Sequence, residues 1–156
     1  MNLNERTNWV RLLMGCPASQ VCELAQQLSS QWPLRYKSLP QSGLGMMKLR
    51  DGAMNEPFYL GEIPLASAWV ELTLPSGDKA EGAAQLMSDD QQLAEAVAIC
   101  DAVLANRLEG AERIMSLLQQ GHDIIAREKR HRKQMLQRTR VDFSLLDAVE
   151  DNDEEN

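Results

Sequence analysis

The chain has 156 residues, 44% of them hydrophobic, which fits one domain with a modest core. Its net charge of −7 repels nucleic acid and anionic lipid overall, so any anion-binding role must come from a local basic patch. Residues 1–5 lack the basic-then-apolar pattern of a secretory signal, no stretch approaches the ~20 apolar residues of a membrane helix, and Cys16, Cys22 and Cys100 are too few and scattered for a disulfide framework; a cytoplasmic location is expected.

Residues 5–14 carry Trp9, Leu12 and Leu13 at helical spacing, and Gly15 is a natural stop. Pro17 suits the first turn of a second helix, in which Val21, Leu24, Ala25 and Leu28 form one apolar face. Trp32-Pro33 ends it, because proline disfavours a helical residue before it. The period then changes to alternation. Residues 34–39 read as a short extended run closed by a turn at Pro40-Gln41-Ser42-Gly43, and residues 44–50 as the next strand. Residues 51–57 form a loop and residues 58–63 a further strand. Pro64, which has no amide donor, marks an edge, bulge or break.

From Ala66 the alternation is regular: Ala66, Ala68, Val70, Leu72 and Leu74 on one face, Ser67, Trp69, Glu71 and Thr73 on the other. Pro75-Ser76-Gly77-Asp78 is a hairpin turn, after which Ala80, Gly82, Ala84 and Leu86 alternate again. Ser88 and Gln91 have capping-box spacing and open a helix with Leu93, Val97, Cys100 and Leu104 as its apolar stripe. Alanines beside that stripe allow close packing, and the helix is the expected cover of the sheet. It ends near residues 106–110. Ile114, Leu117 and Leu118 continue as helix, with Gly121 a candidate interruption before Ile124 and Ile125. The expected fold class is α+β: a four- to five-stranded antiparallel meander covered by helices, forming one domain over residues 1–145. Residues 146–156 are an acidic tail that reads as disordered.

Little in this pattern points to catalysis. His122 and His131 are nine apart and do not match HExxH, and Cys16 and Cys22 lack CxxC spacing. There is no GxSxG elbow. Ser42-Gly43-Leu44-Gly45 holds a GxG fragment but neither the third glycine nor the lysine of a phosphate loop. Glu62 and Glu71 lie in or near strands, where a solvated strand face accounts for them better than acid–base work. Residues 127–134, REKRHRKQ, have no apolar member, so a helix there is either solvated or docked on another chain. Arg127, Lys129, Arg130, Arg132, Lys133, Arg138 and Arg140 concentrate positive charge, a pattern that suits phosphate or an acidic partner surface.

Several fragments, in order and spacing, resemble the PhnG subunit family of the phosphonate carbon–phosphorus lyase system. They are Arg6-Thr7-Asn8-Trp9, Ser42-Gly43-Leu44, Leu49-Arg50-Asp51-Gly52, Pro57-Phe58-Tyr59-Leu60-Gly61-Glu62, Val70-Glu71-Leu72, Ala94-Glu95, Asp101-Ala102-Val103-Leu104 and Arg140-Val141-Asp142-Phe143. Together they span about residues 6–145, the extent of a domain. The family's Gly-Gly-Thr-Gly loop is reduced to Gly52 before Ala53-Met54-Asn55-Glu56. The helix start reads Ser88-Asp89-Asp90 in place of Gly-Arg-Asp, and Ser144 stands where a second Phe is typical, so the chain looks like a divergent member.

The resemblance implies a subunit that works with the I, H and L subunits to displace adenine from ATP with an alkylphosphonate, before the radical iron–sulfur subunit J cleaves the carbon–phosphorus bond. It further implies an accessory role without catalytic residues or a bound cofactor of its own, with ATP used by the complex and homodimerisation left open. Candidate phosphate or partner contacts are Arg50, Arg130, Arg132, Lys133, Arg140, Asp142 and Phe143. A second reading has Arg50 or the basic helix steer triphosphate or phosphonate. A third is a stand-alone anion- or RNA-binding module built on residues 127–140.

Overall fold

A computed structural model describes residues 2–138. Four helices and three strands run in the order α1 (Arg6–Leu13), α2 (Ala18–Ser29), β1 (Leu34–Arg50), β2 (Pro57–Thr73), β3 (Lys79–Leu86), α3 (Gln91–Ala105) and α4 (Ala111–Arg138). The strands form one antiparallel sheet ordered β1-β2-β3, so the architecture is α+β. The chain divides into two units, Met1–Ile124 and Ile125–Asn156. None of the described helices is long and apolar enough to cross a membrane.

In the first unit the helical faces expected from spacing are largely buried: Trp9, Leu12 and Leu13 on α1, and Val21, Ala25 and Leu28 on α2, with Leu24 half-buried. Ala66, Ala68, Val70 and Leu72 of β2 and Ala80, Gly82, Ala84 and Leu86 of β3 face α3. That helix is buried nearly all round, because α2 and α1 pack on it from the other side. A Cβ on Gly82 would strike the carbonyl oxygen of Ala98 and the amide of Ala102, so strand and helix backbones meet where only glycine fits. Ile114, Leu117 and Leu118 of α4 complete this core.

Three strands are found where four or five are expected, because two anticipated breaks are bridged. Pro40-Gln41-Ser42-Gly43 lies inside β1 as an irregularity rather than a turn, with register shifts between Tyr36 and Ser38 and between Ser38 and Gln41. Pro64 lies inside β2, opposite Leu44. Antiparallel residues alternate between pointing their backbone groups toward one neighbour and the other. The Asp51 amide donates to Glu56 O at 2.9 Å and the Thr73 amide to Pro33 O at 3.0 Å. Counted from these two bonds through the paired register, Pro64 and Pro57 both turn their donorless nitrogens away from β1. No ladder bond is lost, so the strand continues. β3 ends two residues short of Pro64, at the Ala66–Leu86 pair. Beyond that pair β1 and β2 continue as a two-stranded arm.

Two smaller expectations are corrected. Asp90, not Ser88, caps α3: its Oδ1 accepts from the Leu93 amide at 2.9 Å, while Ser88 Oγ accepts from the Asp90 amide. Gly121 does not interrupt α4; a Cβ there would meet the carbonyl oxygen of Leu12, and the glycine lets α1 and α4 approach.

Candidate functional site

The arm begins where β3 ends and closes at residues 51–56. Within that tip, Asp51 Oδ1 accepts from the Ala53 amide at 2.9 Å, and the Asn55 amide donates to Asp51 O at 3.0 Å. Asn55 takes the left-handed conformation, φ 56°, which asparagine tolerates better than most residues. The Asp51, Ala53 and Asn55 amides are thus used internally, and the tip is a turn rather than a phosphate cradle. Arg50 sits at the end of β1, exposed, with Nη1 3.4 Å from Asn55 Oδ1. Its guanidinium carries further N–H donors beyond this contact.

The arm is also apolar. Leu44, Met46, Phe58, Tyr59 and Leu60 are 43–69% exposed. At its base two side-chain bonds tie β1 to α3: Tyr36 OH donates to Glu95 Oε1 at 2.6 Å, and Gln91 Nε2 to Ser42 Oγ at 3.0 Å.

Arg130, Arg132 and Lys133 belong to the second unit, on the part of α4 beyond Ile124. All three are exposed, and Lys129, Arg130 and Lys133 share one helical face. Arg140, Asp142 and Phe143 lie outside the described residues.

Two charged clusters assemble that spacing did not reveal. Glu71, expected on a solvated face, is 1% exposed. Lys79 Nζ lies 2.8 Å from its Oε1 and Lys37 Nζ 3.2 Å from its Oε2; Lys37 also meets Glu81 Oε1 at 2.9 Å and sits 5.8 Å from the centre of the Trp69 ring. The hydrogen bond from Lys79 does most to hold the Glu71 carboxyl below the usual carboxylate range, Lys37 adds to it, and desolvation works against both. Glu81 and then Glu71 raise the Lys37 ammonium. A carboxylate held ionised by two cations is poorly suited to donate a proton, so the cluster reads as a clamp across three strands. Cross-strand alternation put Glu71 on the face away from α3; it could not show that two lysines from neighbouring strands would close over it.

The second cluster joins distant parts of the chain. Arg6 grips Asp101 bidentately, Nε to Oδ1 at 2.8 Å and Nη2 to Oδ2 at 2.6 Å, and Oδ2 also accepts from the Ala83 amide at 3.0 Å. Asp101 thereby occupies an outward amide of edge strand β3.

Among the described residues no group of three or more His, Cys, Asp or Glu could hold a metal ion. Burial raises all three thiols, Cys100 to about 12, which keeps them protonated and weakly nucleophilic at neutral pH.

The phosphonate metabolism protein PhnG family matches residues 4–147. A protein of Rhizobium meliloti (strain 1021), named alpha-D-ribose 1-methylphosphonate 5-triphosphate synthase subunit PhnG, is 31% identical over 112 residues, covering 72% of this chain and 69% of that protein.

Proposed function

Because the chain belongs to the PhnG family of phosphonate metabolism proteins, we propose that it is an accessory subunit of a carbon–phosphorus lyase complex. In this reading it supports transfer of an alkylphosphonate to the ribose of ATP with release of adenine, a companion to I-, H-, L- and J-type subunits. The bond-changing groups reside on the partners, and this chain holds no cofactor of its own. The observation that carries the reading is the arm. A two-stranded ribbon is at best marginally stable in water, and this one leaves large apolar side chains exposed. Such a surface gains by docking on another chain. Co-expression with the I-type subunit is the test: co-migration at micromolar concentration is expected, and separate migration sinks the proposal.

Arg50 supports one refinement. Its exposed guanidinium at the arm tip is placed to meet a triphosphate or phosphonate that a partner holds. Arg50→Ala is then expected to lower turnover of the assembled complex about tenfold, the equivalent of about 1.4 kcal/mol, with assembly intact. Full activity with intact assembly removes Arg50 from the site.

A further inference from the structure

The outer edges of the sheet are not alike. On the β2 side of the arm, Pro57 and Pro64 present no donor, and on β3 the Ala83 amide is taken by Asp101. Both are ways of denying an edge to another strand. The outer edge of β1 has neither device over residues 42–50. Counting from the Asp51–Glu56 bond, Ser42, Leu44, Met46, Lys48 and Arg50 point their backbone N–H and C=O groups away from β2. No described strand pairs with that side, and no proline interrupts it.

Its charge is one-sided as well. β1 carries Arg35, Lys37, Lys48 and Arg50 and no acidic residue, within a chain of net charge −7. Lys37 is committed to Glu71 and Glu81, whereas Lys48 and Arg50 are exposed near the arm tip. Lys48 lies 5.9 Å from the centre of the Tyr59 ring. The register shift between Met47 and Lys48 leaves its extra residue, Leu60, on β2, so alternation along β1 places Leu44, Met46, Lys48 and Arg50 on one face, apolar toward the base and cationic toward the tip.

We propose that the outer edge of β1 over residues 42–50 accepts an extended strand of a partner polypeptide, with apolar side chains beside Leu44 and Met46 and carboxylates beside Lys48 and Arg50. Main-chain hydrogen bonds hold the added strand, and the alternate side chains select it. The added strand turns a two-stranded ribbon into a three-stranded one. A second copy of this chain is a poor occupant, since pairing β1 with β1 brings two wholly cationic strands together. The proposal rests on the reading of the chain as a companion subunit, and it names the chemistry of the contact.

Hydrogen exchange of the full chain, read amide by amide, tests it. Two ten-residue peptides serve as probes, one alternating valine with glutamate and one alternating valine with lysine, and the complex co-expressed with the I-type subunit is measured beside them. The glutamate peptide and the complex are expected to slow exchange at Leu44, Met46, Lys48 and Arg50, with the lysine peptide much weaker. Met46→Pro removes one outward donor and no intrachain ladder bond; it should keep the melting curve and lose the protection. The double variant Lys48→Glu, Arg50→Glu, also folded, should bind the glutamate peptide about tenfold more weakly. Unprotected amides with both the peptide and the complex overturn the inference; if the complex still assembles, the companion-subunit reading stands without it. Peptide protection without any assembly removes that reading and keeps the edge. Concentration-dependent protection of the chain alone identifies a second copy as the occupant and overturns the partner claim.

Discussion

Single residues decide how closely the layers meet and how the sheet responds to acid. Gly82 lets β3 lie against the backbone of α3, so Gly82→Ala is expected to cost about 1–3 kcal/mol through overpacking, read as a lower urea midpoint. Glu71 carries a pH signature. Its folded pKa lies below the ordinary value, so its stabilising contribution is present above the ordinary value of about 4.3 and fades as pH falls from there through the lowered folded value. Urea unfolding between about pH 3 and pH 7 should therefore show an acid-side loss that is smaller in Glu71→Gln. At neutral pH that variant should be less stable than the parent, because Lys37 and Lys79 lose their shared counter-charge. The burial of Glu71 is not legible in alternation, which gives the side of a sheet but not what a neighbouring strand's long side chains do there.

At the scale of elements, α3 is the hub, in contact with α1, α2 and all three strands. Its start depends on Asp90, whose carboxylate satisfies the Leu93 amide. Asp90→Ala is expected to cost about 1 kcal/mol, seen as a lower melting temperature with unchanged helix content in the folded state. The residue composition at this start, two aspartates after a serine, was plain in the sequence; which of the three caps was settled by where the chain leaves β3. The strands teach a related lesson. Proline reads as a break when the side its nitrogen faces is unknown. Pro64 and Pro57 face the free edge, so β2 runs through to Thr73 and the two anticipated strands are one. The arm that results is the main candidate site; the sequence indicated its strands at residues 44–50 and 58–63 and the loop between them, without its full length.

At the scale of the molecule, the first unit is closed by contacts between residues far apart in the chain. Arg6 and Asp101 are 95 positions apart, and their pair links the first helix to α3 and, through the Ala83 amide, to the sheet edge. Arg6 is largely exposed, which screens the pair, so Arg6→Ala is expected to cost about 1–2 kcal/mol. Unfolding followed by tryptophan fluorescence and by circular dichroism should shift together, because Trp9 lies in the same core. The basic run of α4 belongs to the second unit and includes three of the candidate contacts, Arg130, Arg132 and Lys133. Arg50 belongs to the first.

The α+β class, the helical segments, the faces of β2 and β3 that meet α3 and, through ordered fragments, membership of the PhnG family are all legible in the chain's residues alone. These follow from local periodicity and from residue identity, which need no knowledge of neighbours. Strand pairing added what this could not give: among the described residues three strands run where four or five were expected, Glu71 is closed over by two lysines, and the β2 and β3 edges carry donorless prolines and an occupied amide that the outer edge of β1 over residues 42–50 lacks. Each of those depends on which side of a strand faces which neighbour, and that is a property of strand pairing rather than of any stretch of sequence.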